Sequence, residues 1–143
     1  MCSSDLAVAA HIGYDAAKKD IAGAIREVKA LGAKYLIIPS LPHPTAFGAN
    51  EARKFAADFN AFGKACNAEG IRFGYHPHGF EFTPTGAARG ELAFDVLARE
   101  TDPDLVCFEM DIFWAFHAGQ DPARLFAKFP GRWALAQIGR AHV

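Results

Sequence analysis

Five short apolar runs alternate with helical stretches along this chain, and that alternation restricts the fold more than any composition figure. The runs are AVAAHIG, AKYLIIPSLP, IRFGYH, LVCFEMDIFW and WALA. They are rich in β-branched, aromatic and other apolar residues, and Gly, Pro, Asn or Asp bound them. Strands apolar on both faces are strands covered on both faces, as in a parallel sheet flanked by helices. Between the runs, apolar residues recur at helical spacing: Ile21, Ile25, Val28 and Leu31, then Phe55, Phe59, Phe62 and Cys66, then Leu92 and Val96, then Leu125 and Phe129. The order is β-α-β-α-β-α-β-α-β, with strand starts roughly 27 to 37 residues apart, which fits repeated βα units. An open doubly wound sheet and a (β/α)₈ barrel both fit. No GxGxxG turn follows a strand, which weakens a dinucleotide-binding reading. A closed barrel needs about 250 residues, so the 143 present would build only part of one.

Helix punctuation is also legible. Asp15 reads as the N-cap of the first helix and Gly32 as its stop, Asn50 as the cap of the second and Gly70 as its stop. Asp121-Pro122 reads as an N-cap followed by proline at the first helical position.

The formal net charge is -1, with 51% hydrophobic residues. Neither nucleic acid nor an anionic membrane has an electrostatic reason to bind such a chain, and neither is expected as a partner. No apolar run approaches ~20 residues, so no membrane span is expected. The N-terminus lacks a signal-peptide pattern, and a cytoplasmic location is the expectation. The three cysteines form no CxxC, so neither disulfides nor a zinc knuckle are indicated; Cys66 and Cys107 read as small buried apolar residues.

Both ends read as sequencing artefacts. IGRAHV is the translation of the adapter sequence ATC GGA AGA GCA CAC GTC. Its reverse complement, GTG TGC TCT TCC GAT CT, gives MCSSDL when GTG starts translation. Residues 1–6 and 137–143 are therefore expected to be adapter-derived, with a natural portion of about 7–136 in one domain, and His142 is assigned no role.

Reactive groups of parallel α/β folds sit at the C-terminal ends of strands. Polar residues gather at those ends here: His11 after the first run, His76, His78 and Glu81 after the third, Glu109 and Asp111 in the fourth. An apolar interior has to justify each charge it carries. Glu81 and Asp111, with imidazoles beside them, suit a divalent cation such as Mn²⁺, Co²⁺, Zn²⁺ or Mg²⁺. Plainer readings stand beside this one. His11 alone is more often a hydrogen-bonded structural residue, and Glu109 could point outward between helices to pair with a basic residue. His43 and His117 read as loop residues at the rim.

The segment GIRFGYHPHGFEF, followed by ARETDPDLVCFEMDIFWAFHAGQDPARLFAKFPGRWALA, resembles the sugar phosphate isomerase/epimerase family of xylose-isomerase-like TIM barrels. Members carry YHxHxFEF on one strand and FE(L/M)DxxW on the next, then an AGxDP helix start and a PGR turn. AAHIGYDA similarly resembles the end of the family's second barrel strand. The resemblance covers essentially Ala7 to Ala136 and implies a partial (β/α)₈ TIM barrel, about five parallel strands with outer helices. It further implies a divalent metal held by Asp111 and by Glu81, or with Glu81 as the carboxylate beside it. His76, His78 and Glu81 then match catalytic positions, and His11, His76 and Trp114 line the substrate. The family's histidine ligand, in a strand usually reading LxHxKD, would fall where this chain has Gln137.

The implied chemistry is metal-assisted proton transfer on a keto sugar or polyol through an enediolate, as in an isomerase or epimerase. A dehydratase, lyase or hydratase acting on keto sugars or an inosose is the alternative from the same family. A catalytically inactive fragment is the non-enzymatic one. The related AP-endonuclease reading calls for a basic DNA-facing groove, which the near-neutral charge does not favour. No Gly-rich phosphate loop is present. Five of eight strands would leave edges at AVAAHIG and WALA, so self-association through them and a large exposed apolar interior face are expected.

Overall fold

The computed structural model describes residues 7–43, 47–84 and 91–138. The adapter assignments for residues 1–6 and 139–143, His142 included, lie outside them. Five strands, β1 (Ala9–His11), β2 (Tyr35–Ile38), β3 (Arg72–Tyr75), β4 (Val106–Asp111) and β5 (Trp133–Gln137), form one sheet in the order β1-β2-β3-β4-β5. Every neighbouring pair is parallel, with an irregularity between Phe108 and Glu109 where β4 meets β5. β1 and β5 are the edges. The partial barrel expected from the sequence is what the chain forms.

Side chains alternate across each strand, and the alternation sorts them into two layers. Leu36, Ile38, Phe73, Tyr75, Phe108 and Met110 face the helices and join the main core. There they meet the long helix α3 (Ala49–Ala68) and α4 (Ala93–Glu100). Ring contacts run through this layer: Phe59–Tyr75 at 5.0 Å, Phe94–Phe108 at 4.9 Å, Phe94–Trp133 at 5.2 Å. Each such fully buried side chain contributes about 1.5–3 kcal/mol, so this layer supplies much of the driving force.

The opposite face carries the layer His11, Ile37, Gly74 and Cys107, which pair in register across β1 to β4. Ile37 is 0% and Cys107 2% exposed. A Cβ on Gly74 would stand 2.7 Å from Ile37 Cδ1 and 3.0 Å from Cys107 Sγ. The missing side chain lets its two neighbours close over the strand. Among the described residues the expected large exposed apolar interior is therefore not found. The exposed large apolar residues among those described are Val8, Leu31, Phe113, Phe116, Phe126 and Ile138, which sit on helices or flank the edge strands.

Local structure departs from the sequence reading at three places. The first helix is two, α1 (Tyr14–Lys19) and α2 (Ile21–Ala30); Asp20 is the side-chain cap between them, accepting from Gly23 N–H at 2.8 Å, while Asp15 lies in the first turn of α1. α3 starts before Asn50: Gly48 is its N-cap and donates its N–H to Glu51 at 3.2 Å, and Asn50 instead accepts from Arg53. The fourth apolar run is a strand only to Asp111, after which α5 (Ile112–His117) begins. Asp121 does cap α6 (Pro122–Lys128), accepting from Ala123 N–H at 2.8 Å, with Pro122 at the first helical position. Cys66 and Cys107 are buried and free. No described helix is long and apolar enough to cross a membrane.

Candidate active site

Two strands that are not neighbours meet through one carboxylate. Glu109 Oε2 on β4 lies 2.8 Å from His11 Nε2 on β1 and 2.9 Å from His76 Nδ1, just past the end of β3. In a flat sheet β1 and β4 would stand about 14 Å apart, three spacings of ~4.8 Å. Their side chains touch because the sheet curls into a trough, as barrel strands must.

His11 is exposed at the edge of the cluster, and the other three side chains are buried. His76 is 4%, Asp111 4% and Glu109 9% exposed. Burial alone would raise the Glu109 pKa, but the hydrogen bonds from His11 and His76 outweigh it and hold the carboxyl down at about 2. Glu109 is thus an anion at any ordinary pH, and it orients both imidazoles. With Nδ1 of His76 turned to Glu109, its other ring nitrogen, Nε2, faces Asp111 Oδ2 at 3.4 Å. Asp111 divides its work between its oxygens. Oδ1 caps α5 by accepting from Trp114 N–H at 3.1 Å, and Oδ2 is turned to His76.

This donor set fits a divalent cation. Ligand atoms each ~2 Å from one metal stand about 3–3.5 Å from each other, which is the His76 Nε2 to Asp111 Oδ2 separation. A ligating histidine normally gives its other ring N–H to a carboxylate, which is the role Glu109 has toward His76. His11, His76 and Glu109 together offer three ligand atoms within 4.8 Å of one another.

His78 stands beside this cluster, its ring 4.8 Å from His76 and 5.4 Å from Trp114. Burial, and then the neighbouring His76, push its pKa down, so the ring is neutral at neutral pH. Its Nδ1 is buried without a hydrogen-bond partner among the described residues. His78 and Trp114 also line a groove of about 530 Å³ with Ser40, His43, Phe80 and His117. His117 belongs to the last turn of α5 rather than to a loop. Among the described residues, no acidic or basic side chain other than imidazole lines this groove.

Of the residues expected from sequence, His11, His76 and Asp111 converge, with His78 and Trp114 alongside. Glu81 does not join them. Its carboxylate accepts from the Tyr75 hydroxyl and from His78 N–H at 2.9 Å, on the helix-facing side where Tyr75 packs. Glu109, read as able to point outward, is instead the hub of the cluster. The signal that finds it is parity: Glu109 and Asp111 are two apart on one strand, so they share a face. Gln137, where the resemblance implied a histidine, pairs in register with Asp111.

No family model and no curated protein matches the sequence. Solved structures do. Two sugar phosphate isomerase/epimerases from Parabacteroides distasonis superpose with TM-scores of 0.72, at 26% and 32% identity over 90% of this chain. This chain is a partial TIM barrel, and its neighbours are sugar phosphate isomerase/epimerase and xylose isomerase-like TIM-barrel proteins. It spans about half the length of these relatives, 52% and 49% of their chains. A zinc-bound IolI protein shares the barrel fold at 15% identity, with a TM-score of 0.64 over 86% of this chain and 44% of its own. These neighbours are isomerase/epimerase-type enzymes.

Proposed function

We propose that this barrel half belongs to an isomerase or epimerase that moves a proton on a keto sugar or polyol beside a divalent cation. The observation that carries the reading is the triad of Glu109, His76 and Asp111, in which one carboxylate orients an imidazole whose other ring nitrogen faces a second carboxylate. His76 and Asp111 would hold the cation, Mn²⁺, Co²⁺, Zn²⁺ or Mg²⁺, while Glu109 orients His76 and His11. A cation there would supply Lewis-acid stabilisation of the negative charge that develops when a proton leaves the carbon beside a carbonyl. His78 is the candidate to take or return that proton: it is neutral, desolvated, and adjacent to His76. Trp114 and Phe80 line the adjoining groove. Because the described lining of the groove holds no Arg or Lys, it suits free hydroxyls better than a phosphate, which calls for Arg, Lys or a helix N-terminus.

The test is deuterium exchange at the carbon beside the carbonyl of D-fructose and related ketoses in D₂O, followed by proton NMR, in a full-length barrel carrying these strands. Exchange that needs Mn²⁺ and disappears in Asp111→Asn supports the reading. Absence of cation-dependent exchange with every ketose tried contradicts it.

A further inference from the structure

Glu81 is 0% exposed, and no cation pairs with it among the described residues. A buried carboxylate without a counter-charge is costly unless donors reach it. Two do, from opposite ends of one short loop. The Tyr75 hydroxyl, at the end of β3, donates to Oε1, and His78 N–H donates to Oε2 at 2.9 Å. Both anchors are themselves fixed. Tyr75 is fully buried with its ring 5.0 Å from Phe59. Glu81 sits in the 3₁₀ turn Phe80–Phe82, where Phe82 packs 4.8 Å from Phe94. The segment between the anchors is His76-Pro77-His78-Gly79-Phe80, which carries both imidazoles of the motif. His76 is held independently, through its N–H to Ile38 O at 3.0 Å and its ring to Glu109. For the described contacts of His78, the Glu81 bond is the polar one that ties its backbone down.

We propose that Glu81 is a positioning residue and not a metal ligand: by bridging Tyr75 and the His78 N–H it fixes the His78 ring against His76 and Trp114. This rests on the reading above that His78 meets the substrate, but it is tested without substrate or metal. Glutamine at this position keeps an oxygen to accept from His78 N–H and an amide to meet the tyrosine hydroxyl. It cannot replace a carboxylate ligand.

The experiment is NMR on the 143-residue chain for wild type, Glu81→Gln, Glu81→Ala and Tyr75→Phe, the last removing a single hydroxyl in case the alanine variant does not fold. The readouts are the nuclear Overhauser contact between the His78 and Trp114 rings, the exchange rate of the His78 amide, and Mn²⁺ affinity. The expected result is that Glu81→Gln keeps the ring contact, His78 protection and Mn²⁺ affinity within about threefold. Tyr75→Phe, and Glu81→Ala if folded, lose the ring contact and speed His78 amide exchange at least tenfold. A tenfold or larger loss of Mn²⁺ affinity in Glu81→Gln would make Glu81 a ligand and overturn the proposal. So would an unchanged His78 in Tyr75→Phe. Should wild type bind no Mn²⁺, the metal reading fails while the ring contact and exchange rates still decide the role of Glu81.

Discussion

His76 Nδ1 lies 2.9 Å from Glu109 Oε2, so the residue past the end of one strand is aimed by a carboxylate two positions short of the end of the next. That contact leaves the other imidazole nitrogen facing Asp111, and the candidate chemistry follows from it. Several consequences away from this contact are measurable.

Glu81 should make stability fall as pH rises. Burial raises its pKa from 4.5 to about 7, against the lowering effect of the Tyr75 and backbone hydrogen bonds. A carboxyl raised in the folded state binds more protons there than in the unfolded chain between those two values. The folded state is therefore favoured when the group is protonated, below about pH 4.5, and that advantage is lost as pH rises to about 7. The shift of about 2.5 units corresponds to roughly 3 kcal/mol. Urea denaturation of Glu81→Gln and wild type at a series of pH values should show the variant gaining relative stability from pH 4.5 to 7 and no further above it. A parallel dependence in both proteins would show that Glu81 is not the titrating group.

Arg132, in the PGR turn, is a stitch between α4 and the sheet. Its guanidinium donates to Ala98 O, to Thr101 Oγ1 at 2.7 Å and to Val106 O at 3.3 Å, and it lies 4.7 Å over the Phe108 ring. Arg132→Ala strips donors from buried acceptors near the C-terminal end of α4, each costing about 1–3 kcal/mol. We expect a loss of roughly 3 kcal/mol or more in urea denaturation, with Arg132→Lys recovering only part because it lacks the planar fork. A loss below about 1 kcal/mol would mean water replaces the side chain.

Gly63 sets how closely α3 approaches the sheet. A Cβ there would fall 2.5 Å from the Leu105 carbonyl oxygen, a backbone atom with little freedom to move. Alanine improves helix propensity by about 1 kcal/mol, but overpacking of this kind costs about 1–3 kcal/mol or more. The clash should win. Gly63→Ala should therefore lower thermal stability, whereas at an open helical site the same change raises it.

The sequence showed the βα repeat because every strand is a continuous apolar run, and continuous runs survive errors of boundary. It hid what depends on single hydrogen bonds. Asp20 rather than Asp15 is the capping side chain because the helix is interrupted between Lys19 and Ile21, an interruption no periodicity marks. Asp111 ended β4 early by capping α5, turning Ile112 to Trp114 from strand into helix. At the site, the motif placed His11, His76, His78 and Asp111 correctly at strand ends. It could not tell which face Glu81 would take, since a 3₁₀ turn intervenes and strand parity no longer applies. Glu109 was recoverable from parity with Asp111, and only the ambiguity of an apolar-both-faces strand obscured it.

Calorimetric titration of the 143-residue chain with Mn²⁺ and Zn²⁺ tests the central claim, that the Glu109-oriented His76 and Asp111 form a cation site. Wild type should show a single site, weakened about 10- to 100-fold in Glu109→Gln, where shape is kept and the orienting charge is lost, and undetectable in Asp111→Asn. Wild-type binding that neither substitution changes, or no binding at all, would contradict it.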